Sequence, residues 1–321
     1  MKKILLFIII PFLVNGQNQK QIFTMFYNVE NLFDTINDPT TNDDDFLPVS
    51  EKKWNTNRYN QKIKQLTRVF SSINNRKYPN LIGLSEVENK LVIEDLLKTP
   101  FFKNHNYNML HKNSPDNRGI DCALLFDKNF ELLEHEFITI KIPNVERPTR
   151  DIIYAKLKVK NEVLNIFVNH WPSRWGGQQE TDYKRIFTAT VLRNYIDEKI
   201  KKNEHIIIMG DLNDYPSNTS VQDVLVKKDL KNLMNSIEGN EQGSYNYKGE
   251  WNFIDHIIVS KTFFRKKSKL KIDRYNTFKE NWMLYTNRKG EKYPRRTYSG
   301  KKWYGGFSDH LPVFCIFNLY E

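Results

Sequence analysis

Across 321 residues, 49 Lys and Arg face 38 Asp and Glu, a formal charge of +11. That length allows one large domain or two ordinary ones, and without a Pro/Ser/Gly-rich linker or an internal repeat a single domain is expected. Two cysteines and no Cys-x-x-Cys pair exclude a paired-cysteine metal centre.

The chain starts with Lys2 and Lys3, then an apolar run from Ile4 to Val14 and a small Gly16, which together read as a secretory signal over residues 1–16. The functional domain is then expected over 17–321. The run is shorter than the roughly 20 residues that cross a bilayer, so no transmembrane anchor is expected once the signal is removed. A periplasmic or secreted protein follows.

Short β-branched or aromatic runs, bounded by polar residues, predict strands at Ile22–Tyr27, Leu81–Leu84, Cys122–Phe126, Ile152–Val159, Val163–Val168, Ile206–Met209, Ile254–Val259 and Leu311–Phe317. Between them, Ile63, Leu66, Phe70 and Ile73 share one helical face, and Ile186, Ala189, Leu192 and Ile196 another. The class is mixed α/β. Cys122 and Cys315 fall in strand runs and suit either two buried thiols or, after export, a disulfide.

Unusual polar residues gather at the C-terminal ends of these strands, where α/β proteins build sites on a rigid frame. Asn28 and Glu86 offer a carbonyl and a carboxylate suited to Mg²⁺ or Mn²⁺. Glu88, two residues on, is expected on the opposite strand face if extension continues, which makes Glu86 the expected ligand. In Gly210-Asp211-Leu212-Asn213, Asp211 could take a proton from a water that Asn213 holds. Asp255 could fix the imidazole of His310 beside a phosphoryl oxygen. His170 adds a second donor, and Arg174 could grip a phosphate with its fork of N–H groups. The run Asp43-Asp44-Asp45 lacks the Gly and Glu of a Ca²⁺ loop and reads as a solvated loop. No Gly-x-Ser-x-Gly elbow, His-Glu-x-x-His helix or P-loop is present.

Most of the excess charge lies between Arg265 and Lys302, interleaved with Tyr275, Phe278, Trp282, Tyr285, Tyr293, Tyr298, Trp303 and Tyr304. Such a stretch suits a polyanion whose phosphates meet cations and whose bases stack on rings. It also suits a solvated basic insertion.

Seven segments in order carry a resemblance: Tyr27-Asn28-Val29-Glu30-Asn31-Leu32-Phe33, Leu84-Ser85-Glu86-Val87-Glu88, Arg118-Gly119-Ile120-Asp121, Val168-Asn169-His170, Gly210-Asp211-Leu212-Asn213, Phe253-Ile254-Asp255-His256-Ile257 and Ser308-Asp309-His310-Leu311-Pro312-Val313. Over nearly the whole chain beyond the signal they resemble the endonuclease/exonuclease/phosphatase, or DNase-I-like, superfamily, and within it exported bacterial members. The resemblance implies a four-layer α/β/β/α sandwich and a divalent-metal-dependent phosphoesterase using Mg²⁺, Mn²⁺ or Ca²⁺. It implies that Asn28 and Glu86 belong to the metal site, with Asp309 near a second position. Asp211 and Asn213 would activate water, His310 with Asp255 and also His170 would face the phosphate, and Arg118 and Asp121 would line the cleft. A nuclease acting on DNA or RNA is the leading expectation. A phosphodiesterase or phosphatase of lipids or small esters, similar to sphingomyelinases, is the alternative. No stable protein partner is implied, so a monomer is expected.

Overall fold

The computed structural model describes residues 20–237 and 241–320; the expected signal at 1–16 lies outside them. Twelve strands form two large sheets: β1 (Lys20–Leu32), β2 (Leu81–Val87), β3 (Tyr107–His111), β4 (Asp121–Asp127), β5 (Glu131–Ile138), β6 (Ile152–Val159), β7 (Glu162–His170), β8 (His205–Asp211), β9 (Leu230–Asn232), β10 (Asp255–Ser260), β11 (Leu270–Thr277) and β12 (Val313–Leu319). The first runs β11-β12-β1-β2-β4-β3 and the second β5-β6-β7-β8-β10-β9. Each has one parallel pair at its centre, β1 with β2 and β7 with β8, and antiparallel neighbours on both sides.

Alternation along β1 sorts its side chains between two cores. Ile22 and Phe26 face the second sheet, packing with Leu124, Ile166, Val168, Met209 and Ile257. Met25 and Tyr27 face outward onto α1 (Thr56–Ser72) and α2 (Lys90–Leu97), meeting Leu66, Phe70, Val92 and Leu96. Phe167 and Ile208, on the far side of the second sheet, pack on Ala189, Leu192 and Ile196 of α3 (Gln178–Lys199). The result is the four-layer α/β/β/α sandwich. Asn55 and Asn89 cap α1 and α2 by accepting from Arg58 N at 3.2 Å and Val92 N at 3.1 Å. Gly83 lets the sheets close up, because a Cβ there would lie 2.5 Å from Met209 Sδ.

Cys122 and Cys315 are free, buried thiols. They lie on β4 and β12, with β1 and β2 between, so three strand spacings of about 4.8 Å separate them, beyond disulfide reach.

Helix α3 departs from a plain apolar stripe. Its buried side includes Arg185 and Arg193, whereas Ile186 is only partly buried. Arg185 Nε lies 2.8 Å from Asp214 Oδ1, and both side chains are fully enclosed. Removing Asp214 strands a buried guanidinium, so Asp214→Ala is expected to cost about 3–5 kcal/mol in a denaturant titration. A loss under about 1 kcal/mol would contradict this role.

His256, on the buried side of β10, accepts at Nδ1 from Asn232 (2.9 Å) and donates from Nε2 to the Asp214 carbonyl (2.9 Å). Burial pushes its pKa down to about 4, against the pull of Asp214 and Asp255. Protonation is then favoured in the unfolded chain, so stability held above pH ~6.5 is expected to fall as pH drops toward 4, by up to about 3 kcal/mol. Urea midpoints across that range, with His256→Gln as reference, check it; an equal pH slope in both would contradict it.

The basic stretch wraps α1. Phe278, Trp282, Tyr298 and Trp303 pack against the outer core of the first sheet, so these rings fill structure and are not stacking platforms. Tyr285 and Tyr304 stay exposed. Lys62 of α1 is fully buried, donating to Thr297 Oγ1 and Phe307 O at 2.6 Å each, and thereby ties the stretch to the helix. In the acidic run, Asp43 is buried and accepts from Asp38 N at 3.0 Å; the solvated-loop reading fails for it.

Candidate active site

Parallel strands end at the same edge, and the two central pairs bring their C-terminal residues together across the sandwich. In the first sheet the ladder slips after Asn28 and Ser85, so that Leu32 pairs next with Val87. Glu30, Asn31 and Glu86 adopt left-handed backbone conformations, at φ 51°, 51° and 62°. Strict alternation would send Glu86 outward with Ile82 and Leu84. The left-handed residue turns it back into the cleft, Val87 takes the outer position, and the conformation costs about 1–3 kcal/mol. This slip, rather than simple extension, separates Glu86 from Glu88, whose carboxylate accepts from Asp34 N at 2.6 Å.

Asn28 is the hub. Its Oδ1 accepts from Glu30 N at 3.0 Å, and a backbone N–H can only donate, which fixes the amide's orientation. Its Nδ2 therefore donates to Glu86 Oε1 at 3.3 Å and Asp211 Oδ2 at 3.0 Å. Glu86 Oε2 takes the Asn31 N–H at 2.9 Å. The side chain is 16 % exposed, and among the described residues no Lys or Arg pairs with it.

In the second sheet His170 and Asp211 are register partners. Gly210 allows the approach, since a Cβ there would lie 2.4 Å from Asn169 O. His170 Nε2 lies 3.7 Å from Asp211 Oδ2 and 4.0 Å from Glu86 Oε1. Burial, with Arg150 and Arg118 adding to it, holds this imidazole neutral. Asn213, left-handed at φ 51°, donates from its backbone to Asp211 Oδ1 at 2.9 Å and from Nδ2 to Trp171 O at 3.0 Å. Its Oδ1 is left to accept from a water.

The C-terminal segment closes the site. Ser308 Oγ donates to Asn28 O at 2.7 Å and accepts from His310 N at 3.0 Å, pinning the Ser308-Asp309-His310 turn to β1. His310 Nδ1 donates to Asp255 Oδ2 at 2.8 Å, and its Nε2 faces Asp211 Oδ2 at 3.8 Å. Burial opposes charge on His310, but Asp255, Asp211 and Asp309 outweigh it and hold the imidazolium. Burial lifts the Asp211 carboxyl to about 7, with Asp255 adding to the rise and His310, Asn213 and Asn28 opposing it. Donor atoms of Asp211, Asp255 and His310 lie within 4.8 Å of one another, a spacing a metal could use. An imidazolium is no ligand, however, and we read this trio as a proton-holding chain. Glu86, without a cationic partner, fits a bound cation better.

Two sequence-based assignments change. Arg174 spends its nitrogens on Asn213 O (2.6 Å), Gln178 (3.1 Å), Asp214 (3.1 Å) and Asn218 (3.0 Å), so it holds the Asn213 turn instead of a phosphate. Asp121 is 1 % exposed and accepts from Ser114 N at 2.9 Å with His111 at 3.5 Å, so it shapes the loop under the cleft and does not line it. Arg118, 40 % exposed, stays beside Asp116 at 3.4 Å. Asp309 is held by Arg296 at 2.8 Å, which also reaches Glu30 at 3.4 Å. Sequence reading missed Arg150, Lys62 and Asp214, all ionic partners drawn from distant segments, and took Arg296 only as one cation of the basic stretch.

Carboxylates around an imidazolium, beside an amide able to hold a water, suit attack on a phosphoester, and fold and site together define a phosphoric ester hydrolase of the DNase-I-like class. The Endonuclease/Exonuclease/phosphatase family matches over residues 23–318, and the chain belongs to it. Exodeoxyribonuclease III of Haemophilus influenzae is 26% identical over 145 residues, 44% of this chain and 51% of that protein, so the chain spans about half the length of that relative. Among solved structures, D. rerio TDP2 complexed with single-strand DNA product superposes with a TM-score of 0.59 at 15% identity, over 93% of this chain and 99% of that one. A Bacteroides thetaiotaomicron endonuclease/exonuclease/phosphatase family protein gives 0.59 at 15% identity, over 95% and 100%. A mannosyl-6-phosphatase of the same species gives 0.58 at 15% identity, over 92% and 99%. At such identity these structures speak to fold alone.

Proposed function

We propose that this protein is an exported, divalent-metal-dependent phosphodiesterase that hydrolyses nucleic acid. The observation that carries the chemistry is the Asp255–His310–Asp211 chain facing Glu86 across Asn28. A water held by Asn213 loses its proton to Asp211, whose raised pKa suits a base working near neutrality. The water oxygen bonds to phosphorus as the ester P–O bond breaks, and the leaving oxygen departs with that electron pair and takes a proton from solvent. His310, fixed by Asp255, presents Nε2–H to a phosphoryl oxygen and offsets its charge. Neutral His170 supplies a further contact from the β7 end.

Glu86 would hold the cation, with Asp309 and Asn28 beside it; Mg²⁺ or Mn²⁺ suits such oxygen donors and would neutralise charge on the phosphoryl group. Asn28 now presents its Nδ2 to the cleft, so its part is to orient Glu86 and Asp211. Nucleic acid is favoured by the +11 charge, by cations flanking the cleft and by the relative named an exodeoxyribonuclease. The resemblance in fold to a mannosyl-6-phosphatase makes a monoester phosphatase the second reading. Incubating the purified protein with plasmid DNA, RNA, sphingomyelin and mannose 6-phosphate, with Mg²⁺, Mn²⁺, Ca²⁺ or EDTA, separates them. Nicked or shortened nucleic acid supports the proposal, and phosphate release alone overturns it. Export rests on residues 1–16; mass spectrometry of the protein recovered from the periplasm or medium should show loss of those residues.

A further inference from the structure

We propose that a basic pocket beside His170 is a nucleotide subsite, holding one phosphate and its base next to the phosphodiester being cut; this rests on the nuclease reading. The pocket is a cavity of about 440 Å³, within the ~300–1,000 Å³ typical of small-ligand sites. Arg118, Arg147, Arg150 and Lys184 line it, against one acid, Asp116. Asp116 is already matched by Arg150 at 3.1 Å and Arg118 at 3.4 Å. Arg147 and Lys184 have no acidic partner among the described residues, which leaves positive charge for an anion.

Two other features point to a ligand. Thr149, 5 % exposed, lines the same wall, and its buried hydroxyl has no partner. Trp175 lines the pocket yet is 85 % exposed, an indole left in water where a base could stack. Ile142, Pro148 and Pro172 give an apolar wall. Cations for a phosphate, a free ring for a base and a hydroxyl for a sugar or phosphate oxygen together match one nucleotide.

The pocket joins the catalytic edge through one carbonyl. Arg150 Nη2 donates to Trp171 O at 2.5 Å, and Asn213 Nδ2 donates to the same atom at 3.0 Å. Pro172 of the lining stands two residues beyond His170, so a nucleotide in the pocket lies on the loop that leaves the phosphate-facing histidine. A strand running from the site past Pro172 would place a neighbouring nucleotide there.

The test uses Arg147→Ala, Lys184→Ala and Trp175→Ala, all at exposed or half-exposed side chains outside the catalytic set. With EDTA present, calorimetry with 5′-AMP and with inorganic phosphate reads binding alone. We expect 5′-AMP to bind more tightly than phosphate, and each substitution to weaken 5′-AMP by about tenfold, the scale of one base–aromatic stack or phosphate contact. With metal, kcat/KM on a ten-nucleotide strand should fall about as much, while bis(p-nitrophenyl) phosphate turnover stays unchanged. Equal 5′-AMP affinity in variants and wild type overturns the pocket. If the strand is cut equally well by all of them, the pocket fails and the nuclease reading stands. If 5′-AMP binding is pocket-dependent but no nucleic acid is cut, the nuclease reading fails, the pocket's nucleotide binding stands, and its place beside a cut phosphodiester is overturned.

Discussion

Asp211→Asn is expected to lower kcat by about three orders of magnitude while shifting the melting temperature little, because relief of a buried charge offsets the loss of one hydrogen bond from Asn28. The side chain sits at 2 % exposure, and burial lifts its pKa to about 7, so its charge already costs the folded state. An amide of the same shape keeps the contact with Asn213 N at 2.9 Å and removes that charge, but gives up the Oδ2 that accepts from Asn28 Nδ2 at 3.0 Å. What is lost is the proton acceptor. A retained kcat would mean that another group takes the water's proton; a large fall in melting temperature would mean that Asp211 is structural.

His310→Ala is expected to cost about two to three orders of magnitude in kcat, the scale of removing one donor that stabilises a developing oxyanion. Asp255 serves His310 through a single 2.8 Å hydrogen bond and is itself fully buried. Asp255→Asn should therefore reduce turnover by less than His310→Ala, and the double variant should resemble His310→Ala alone, because the two act as a unit. Additive losses would show that Asp255 works independently. Ser308 keeps the turn on β1 in all these variants through its bond to Asn28 O, so the fold is expected to survive.

The residues legible in the sequence share one property: each lies at the tip of an apolar β-run, His310 just before its strand and the others at the end of theirs. Asn28, Glu86, His170, Asp211 and His310 could be found because a polar side chain at the tip of a buried strand breaks a strong local pattern. Their common edge follows from the two parallel pairs, which the runs alone do not reveal. Arg174 was misread for a complementary reason. A guanidinium after a loop histidine looks free in sequence, yet four acceptors from residues 178–218 consume its donors. Arg150, Lys62 and Asp214 went unseen because a buried charge is recognised only by a partner that folding supplies. The aromatic and basic stretch has the same composition whether its rings stack on bases or fill a core, and the packing of the partly buried Trp282 and Trp303 against the first sheet's outer core decides between them. Glu86 was selected over Glu88 by strand alternation, but the left-handed turn at Glu86 is what separates them.

The measurement that bears most directly on the central claim is hydrolysis of bis(p-nitrophenyl) phosphate by the purified protein and by Glu86→Gln, each titrated with Mg²⁺ and Mn²⁺ after chelation. Turnover in wild type should vanish with EDTA and return with metal, and Glu86→Gln should need at least about tenfold more metal or stay inactive. Turnover that survives EDTA, or an unchanged metal requirement in Glu86→Gln, would contradict a metal-dependent phosphoesterase built on this site.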